Sequence, residues 1–213
     1  MASTTRRPSA AADRRSALEK RILSVIEELL GGGVSYTELS VEQIAQPAGI
    51  SRSTFYLYFR DKVDVLLRLS GSLKTESFAI AQAWRPTGPD GGVEGLARTY
   101  ELILRHYRRH AVLLSAINEV AAYDPVVRGA WTADQNRFTD HLVSVLREEQ
   151  RAGRTPADID PRLAAGMIVQ GGSQVIAQQV ANSDGGDDAR VARELAHTFW
   201  YGVYRRPAAP DAG

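Results

Sequence analysis

The chain has 213 residues, of which 44% are apolar and 24% are charged, and its net charge is +1. This composition is typical of a folded globular protein and excludes a largely disordered chain, which would contain far fewer apolar residues. The sequence has no cysteine, so disulfides, thiolate zinc sites and cysteine nucleophiles are excluded too. No signal segment opens the chain, and no apolar run approaches the roughly 20 residues that span a bilayer, so we expect a cytoplasmic protein without a membrane partner.

Basic residues are concentrated at the start of the chain. The first 21 residues contain six Lys or Arg and two Asp or Glu, which gives this segment a net charge of +4. Because residues 1–12 are small, polar and basic, we expect them to form a disordered arm. A local basic cluster suits contact with phosphates, and a solvated tail without a partner is the alternative.

Helical spacing dominates the rest of the sequence. Apolar residues recur at intervals of three and four from residue 13 to residue 30, where three glycines end the pattern. A linker rich in proline and glycine at 86–92 precedes further helical patterns, and no convincing strand pattern occurs. We predict an all-α protein, with later helices at about 93–108, 111–123, 126–152, 161–182 and 187–204.

Residues 40–62 have the pattern of a helix-turn-helix. Ser40 and Gln43 have the form of a capping box at the start of a short helix, and Gly49 can adopt the positive φ that reverses the chain after it. Ser51 is a good N-cap for the second helix, and Asp61 starts a longer third one. In such a motif the second helix enters the major groove of DNA.

Pro47 departs from this pattern, because it lies where the first helix of the motif should still be turning. A proline in a helix interior loses a backbone hydrogen bond and costs about 3 kcal/mol. We therefore expect this helix to end early, which leaves the angle of the second helix open.

The segment from Leu39 to Lys62 closely resembles the signature of the TetR family, above all in the run Phe55-Tyr56-Leu57-Tyr58-Phe59. The resemblance implies that Tyr56 and Lys62 contact DNA phosphates, with Arg52 as the main guanine reader. The alternative is that Tyr56 packs in the small core and Lys62 serves only the helix surface. The predicted DNA-binding residues are Ser40, Gln43, Ser51, Arg52, Ser53, Thr54, Tyr56, Tyr58 and Lys62.

The resemblance also implies a function and a domain organisation. It predicts a ligand-responsive repressor that binds a palindromic operator as a homodimer, is released by a small apolar molecule and needs no cofactor. The alternative is a small helical enzyme or adaptor that carries the three-helix unit without using it on DNA. The expected parts are a basic arm at 1–12, a helix-turn-helix DNA-binding domain at 13–68, a helical-bundle ligand-binding and dimerisation domain at 69–205 and a disordered tail at 206–213.

Aromatic and amide side chains in the second domain supply the ingredients of an apolar ligand cavity, although aromatics at helical spacing also simply fill cores. The spacing from Trp131 to Phe138 and the run His197-Thr198-Phe199-Trp200 are similar to those of a TetR-family repressor with a long apolar cavity. The predicted ligand-binding residues are Tyr100, Leu104, Tyr107, Trp131, Gln135, Phe138, Gln170, Gln174 and Phe199.

The last two predicted helices contain many small residues. Interior glycines such as Gly171 and Gly172 indicate close backbone approach, a kink or room for a ligand. His106 and His110 are four residues apart, but arginines surround them and no third ligand is suitably spaced, so we expect no metal site. We assign no catalytic residues. Candidates for the dimer contact, with the intramolecular core as the alternative, are Val175, Gln178, Gln179, Val191, Leu195, Thr198 and Phe199.

Overall fold

The computed structural model describes residues 10–207, with side chains from Arg14 onward, and within this range the chain is helical without strands. This confirms the predicted all-α class. The predicted arm up to residue 9 and the tail from residue 208 lie outside the described residues. The helices are α1 (Ala10–Gly31), α2 (Val41–Ala45), α3 (Arg52–Tyr58), α4 (Lys62–Ala83), α5 (Gly92–Arg109), α6 (Ala111–Tyr123), α7 (Pro125–Arg151), α8 (Pro161–Asn182) and α9 (Asp188–Phe199), followed by a π-helical segment (Trp200–Tyr204).

Helices α1 to α3 and the start of α4 form the N-terminal unit around a small apolar core. Helix α1 begins at Ala10, three residues before its predicted start. Helix α2 ends at Ala45, two residues before Pro47, as the cost of an interior proline requires. Gly49 then reverses the chain with a φ of +70°. The buried side chains of this core include Leu18, Ile22, Ile26, Tyr36, Leu39, Ile44, Phe55, Phe59, Val65 and Leu66.

Helix α4 connects the N-terminal unit to the bundle formed by α5 to α9. With 22 residues it is about 33 Å long at 1.5 Å per residue. Val65 and Leu66 near its start are buried in the N-terminal core, whereas Leu73 and Ser77 are buried against the bundle. The ring of His106 on α5 holds this second half, because its Nε2 lies 2.9 Å from the Leu73 carbonyl oxygen. Helix α4 is thus part of both units.

Two further contacts join the N-terminal unit to helix α6 and the residue before it. The Thr37 hydroxyl donates to a Glu119 carboxylate oxygen at 2.7 Å, and His110 Nδ1 lies 3.0 Å from a Glu27 carboxylate oxygen. Any rotation of the N-terminal unit against the bundle must alter these contacts. None of the helices described between residues 10 and 207 is long and apolar enough to cross a membrane.

Candidate DNA-binding surface and ligand cavity

Helix α3 presents a polar outer face over an aromatic inner face. Phe55 and Phe59 are buried with ring centres 5.2 Å apart, and they hold the helix on the N-terminal core. On the outside, Arg52 and Ser53 are exposed, and the Arg52 guanidinium lies 5.8 Å from the centre of the Tyr56 ring. This contact orients the guanidinium along the exposed face of the helix.

The remaining predicted residues of α3 differ in exposure. Ser51 caps the helix, since its hydroxyl oxygen accepts from the Thr54 amide at 3.0 Å. Thr54 and Tyr58 are half-buried, whereas Tyr56 is 47% exposed and does not pack inside the small core. Its hydroxyl is therefore free to reach a phosphate.

Leu57 is a residue of this face that the sequence analysis missed. It is 83% exposed, the highest exposure among the large apolar side chains of the described range. It lies four residues after Ser53, so both occupy the same side of the helix. The four-residue spacing from Ser53 could have placed Leu57 on the DNA-facing side. It was overlooked because polar side chains were expected on that side. In the major groove an exposed leucine can contact a thymine methyl group.

Ser40 and Gln43 form the capping box expected at the start of α2. The Gln43 amide donates to the Ser40 hydroxyl oxygen at 3.2 Å, and the Ser40 amide donates to the Gln43 side-chain oxygen at 2.8 Å. Both residues remain exposed, but each side chain is already bonded within the helix end. A phosphate contact from either residue therefore has to use a donor that the capping box does not occupy, such as the Ser40 hydroxyl proton or the Gln43 side-chain NH₂ group.

The ammonium of Lys62, a predicted phosphate contact, has partners within the chain. It donates to the backbone carbonyls of Tyr36, Thr37 and Leu39 in the loop between α1 and α2, so its three donors are already engaged. The Tyr36 hydroxyl donates in return to the Lys62 carbonyl oxygen at 2.6 Å. In this structure Lys62 ties the loop to the start of α4 instead of presenting an amine for phosphate.

A cavity lies inside the bundle between α4, α5, α7 and α8. Its volume of about 90 Å³ is room for several water molecules or one compact ligand. Four of the predicted ligand-binding residues line this cavity, namely Tyr100, Tyr107, Gln135 and Phe138. The other lining residues are Lys74, Ser77, Ala81, Trp84, Leu96, Thr99, Ile103, His141, Leu142, Ile168, Val169, Gly172, Ser173 and Tyr204.

The other predicted ligand-binding residues do not line this cavity. Leu104 is fully buried in the core, and Phe199 packs on Tyr100 with ring centres 6.3 Å apart. Trp131, Gln170 and Gln174 line a more open groove between α7 and α8. Helical spacing identifies the face on which these side chains lie, but the neighbouring helix decides whether that face meets the cavity or the groove.

Gly172 borders the cavity and provides room in it. A β-carbon at this position would lie 3.6 Å from the Tyr100 hydroxyl oxygen and 3.8 Å from the Phe199 ring, both ordinary contact distances. Alanine therefore fits at this position, whereas a longer side chain would enter the cavity. Its position at the cavity wall agrees with the expectation that this glycine leaves room for a ligand.

Lys74 is the charged residue of the cavity that the sequence analysis missed. Its side chain is only 3% exposed, and its Nζ lies 3.2 Å from the centre of the Trp131 ring. Burial lowers the pKa of Lys74 to about 7, because the charged ammonium loses its hydration. The available signal was its position four residues after Ser70 and eight after Leu66, on the buried face of α4.

Other titratable groups around the cavity are held in their neutral forms. Burial and the nearby Arg85 lower the pKa of His141. Burial raises the pKa of Tyr107 to about 12, although a hydrogen bond between its hydroxyl and that of Ser77 at 3.1 Å acts in the opposite direction. Near pH 7 the Lys74 amine is close to its pKa, so part of the molecules carry a positive charge at this point of the cavity.

Helices α8 and α9 present apolar side chains on the outside of the bundle. Leu163 and Met167 are 68% and 69% exposed and lie one turn apart on α8, and Tyr201 just beyond α9 is 56% exposed. A shallow apolar groove runs between the two helices. Five of the predicted dimer residues line it, namely Val175, Val191, Leu195, Thr198 and Phe199, whereas the Gln179 side chain donates to Asp188 within the chain at 3.0 Å.

His106 and His110 have partners within the protein. His106 is 1% exposed and bonded to the Leu73 carbonyl, and His110 is paired with Glu27. Burial lowers the pKa of His106, which favours its neutral form. Both rings therefore hold α5 and the residue after it against the N-terminal half of the molecule.

Both halves of the chain match families of known proteins. Residues 22–69 match the family model of bacterial regulatory proteins of the tetR family. Residues 96–205, more than half of the chain, match the model of the C-terminal domain of the transcriptional regulator EthR. These two matches coincide with the helix-turn-helix unit and with the helical bundle that contains the cavity.

Relatives match over most of the chain. The transcriptional regulator EthR of Mycolicibacterium smegmatis is 26% identical over 95% of each chain, and the regulator AcuR of Cereibacter sphaeroides is 28% identical over 73% of this chain and 72% of its own. Among solved structures, Salmonella enterica GusR superposes with a TM-score of 0.68 at 18% identity, covering 85% of this chain and 94% of its own. FadR of Thermus thermophilus superposes with a TM-score of 0.58 at 24% identity, covering 92% and 100%.

A helix-turn-helix with an exposed second helix, joined through α4 to a helical bundle with an internal cavity, defines a transcriptional regulator. The chain belongs to the TetR family of bacterial regulatory proteins, and its C-terminal half is of the EthR type. The family resemblance seen in residues 39–62 is thereby confirmed, as is the similarity of the C-terminal half to one repressor of this family.

Proposed function

We propose that this protein is a repressor that binds a palindromic operator as a homodimer and leaves it when a small apolar molecule enters the cavity. The observation that carries the proposal is that helix α4 takes part in both the N-terminal core and the cavity. Its first residues complete the core that supports α3, and Lys74 and Ser77 in its second half line the cavity. One rigid element therefore has both the DNA-binding surface and the ligand cavity as neighbours.

The exposed face of α3 supports specific DNA binding. The Arg52 guanidinium can meet O6 and N7 of one guanine, and Leu57 can contact a thymine methyl group beside it. Tyr56 is placed to bond a phosphate. Contacts to phosphates make affinity fall steeply as salt increases, and contacts to base edges make it depend on sequence.

Replacing Arg52 with alanine is expected to relax specificity at one base position in each half-site by about 1–3 kcal/mol, because the bidentate guanine contact is lost. The operator is first selected from a pool of random duplexes, and affinities are then measured for each single-base variant. Arg98→Ala removes the same charge from an exposed side chain on α5 and should leave the base preferences unchanged. Sequence-independent binding by the unmodified protein would contradict the repressor proposal.

The apolar face of α8 and α9 supports dimer formation. Exposed apolar patches of this kind mark interaction surfaces, and a two-fold operator requires two copies of α3 about 34 Å apart or a multiple of that distance. We therefore assign this face to a second copy of the chain.

Release by a ligand needs only modest energetic coupling. A tenfold loss of operator affinity corresponds to about 1.4 kcal/mol, whereas a 99:1 reversal of the conformational equilibrium would need about 5.5 kcal/mol. The structure of FadR from Thermus thermophilus, a repressor with this fold, was solved in complex with lauroyl-CoA. A ligand that moves the second half of α4 would change the distance between the two α3 helices.

Filling the cavity should separate ligand response from DNA binding. Gly172→Leu places three additional carbons beyond the β-carbon in the cavity, so apolar compounds found by thermal-shift screening should no longer stabilise the protein. Operator affinity without ligand should remain within about threefold, because α3 and the α8–α9 face are unchanged. Gly172→Ala fits beside Tyr100 and serves as the control that keeps the ligand response. An unchanged response in Gly172→Leu would place the effector elsewhere.

A further inference from the structure

Lys74 is a buried cation without a counter-ion in the cavity. Within the described part of the chain, its Nζ makes no hydrogen bond or ion pair, and its neighbours are the faces of Trp131 at 3.2 Å and Tyr107 at 5.6 Å. Asp134 is the carboxylate whose charge acts on Lys74, but it is paired with Arg137 at 3.5 Å. Because the Nζ has no hydrogen-bond partner but is not sealed off from the cavity, a ligand there can supply the negative charge that the protein does not.

The Tyr100 hydroxyl is a second polar group that faces the cavity without an intramolecular partner. Tyr100 is 7% exposed, and no hydrogen bond of its hydroxyl occurs among the described residues. The surrounding walls are apolar, formed by side chains such as Ile103, Phe138 and Ile168. The cavity thus combines the Lys74 ammonium and several hydroxyl groups, including that of Tyr100, with mostly apolar walls.

We propose that the cavity binds a compact apolar monocarboxylic acid, whose carboxylate pairs with the Lys74 ammonium while its apolar body lies against Phe138 and Ile103. The inference rests on the proposed function, because it names the ligand class of the same cavity. It specifies the charge, the number of charges and the size of the effector.

The number and sign of charges distinguish this class from others. A carboxylate forms a short charge-assisted hydrogen bond with an ammonium, which is stronger than a bond between neutral groups. A neutral ligand leaves the cation unpaired, and a cationic ligand adds repulsion. A phosphate would bring close to two negative charges into an apolar enclosure that offers one cation. The space of about 90 Å³ favours an acid of few carbon atoms over a long acyl chain.

The position of Lys74 also connects this ligand to the switch. Lys74 lies 12 residues after the first residue of α4, or about 18 Å along the helix axis. A carboxylate that draws the ammonium into the cavity pulls on α4 directly. The hydrogen bond between the Ser77 and Tyr107 hydroxyls and the one between His106 Nε2 and the Leu73 carbonyl hold the same stretch and limit how it can move.

The affinity for an acid should depend on pH through Lys74. Burial lowers the pKa of its free ammonium to about 7, so an incoming carboxylate must recruit a proton above that pH. Affinity should be constant between about pH 5.5 and 6.5 and decrease about tenfold from pH 6 to pH 8. The other titratable groups that line the cavity are the hydroxyls of Tyr100, Tyr107 and Tyr204 and the imidazole of His141, and the charge of the Asp134 carboxylate also acts on Lys74.

The test compares matched compounds that differ only in charge. Butanoate, butanamide and butylamine form one set, and hexanoate, hexanamide and hexylamine form another. Their dissociation constants for the full chain are measured by calorimetry near pH 6. In at least one set, the acid should bind at least about tenfold more tightly than its amide, and the amine should bind more weakly than either.

Two lysine variants locate the effect. In Lys74→Met the acid should lose its advantage, while the affinity for the amide stays within about threefold of the unmodified protein. Lys20→Met removes the same charge from an exposed position on α1 and should retain the preference for the acid. The decrease in acid affinity from pH 6 to pH 8 should disappear only in Lys74→Met.

The outcomes separate this inference from the proposed function. If the amides bind as tightly as the acids, or if Lys74→Met keeps the preference, the assignment of a carboxylate is overturned while the ligand cavity stands. If no compound of either set binds to the unmodified protein, the assignment is overturned together with the cavity as an effector site for compact molecules.

Discussion

Replacing Leu163 and Met167 together with glutamate is expected to convert the protein to a monomer and to weaken operator binding at least about a hundredfold, or about 2.7 kcal/mol. Both side chains are exposed in the isolated chain, at 68% and 69%, so the substitution should not unfold the bundle. In a dimer the four introduced carboxylates would be buried against apolar groups without partners.

The large effect on DNA binding has a separate cause. A palindromic operator is bound by two copies of α3 at once, and a monomer engages one half-site without the second set of contacts. Mass should be determined by light scattering at micromolar concentration, and operator affinity by titration at fixed salt. Leu102→Glu places the same charge at a 47% exposed position on α5, outside the α8–α9 face, and should remain dimeric. A double variant that stays dimeric would refute the assignment of this face.

Replacing Lys74 with methionine is expected to stabilise the fold by about 4 kcal/mol at pH 7. Burial lowers the pKa of Lys74 to about 7 from 10.5, so at pH 7 the unfolded chain binds this proton more tightly than the folded protein does. Each unit of pKa difference corresponds to about 1.4 kcal/mol. Methionine has similar length and no charge to bury, and a gain of this size would raise the melting temperature by about 10 °C.

The direction of the pH dependence follows from the same shift. Between the folded pKa of about 7 and the unfolded value of 10.5, the unfolded state of the unmodified protein binds more protons, so stability rises with pH. The advantage of Lys74→Met should therefore shrink by about 3 kcal/mol from pH 7 to about pH 9.5.

Urea unfolding of both proteins at these two pH values measures this difference. Lys20→Met, at an exposed position on α1, should show no comparable gain at either pH. A Lys74→Met protein that is less stable than the unmodified one at pH 7 would show that the ammonium stabilises the fold.

A stabilising substitution at Lys74 would agree with a functional role for the lysine. Proteins commonly retain destabilising groups where a ligand needs them. The expected combination is therefore a more stable protein that has lost its preference for acids. A structural lysine would give the opposite combination, with lower stability and unchanged ligand selection.

The local features of the helix-turn-helix could be predicted from the sequence by itself. The capping box of Ser40 and Gln43, the positive φ of Gly49 and the early end of α2 before Pro47 each depend on residues within a few positions. The same holds for the bounds of the long helices up to Asn182, which lie within three residues of the predicted ones. The last predicted helix, at 187–204, is instead divided into α9 and the π-helical segment that follows it. Backbone hydrogen bonds, caps and glycine conformations act over one or two helical turns, so the sequence shows them directly.

The roles of the two central lysines were decided only by tertiary structure. Lys62 has the position of a phosphate contact, yet the loop between α1 and α2, more than 20 residues away, supplies the carbonyls that occupy its ammonium. Lys74 has the composition of a surface residue on α4, yet Tyr107 of α5 and Trp131 of α7 enclose it. In both cases the partners come from distant segments, and helical spacing carries no information about them.

The ligand residues show the same division. In the structure Tyr100, Tyr107 and Phe138 are buried or half-buried, as is Trp131, whereas Gln174 is exposed. The packing of α7 against α4 and α8 sends the first three to the cavity and the last two to the open groove. A helix's own sequence specifies which side it buries, but the crossing of neighbouring helices specifies what that side meets, because packing energy depends on contacts between segments far apart in the chain.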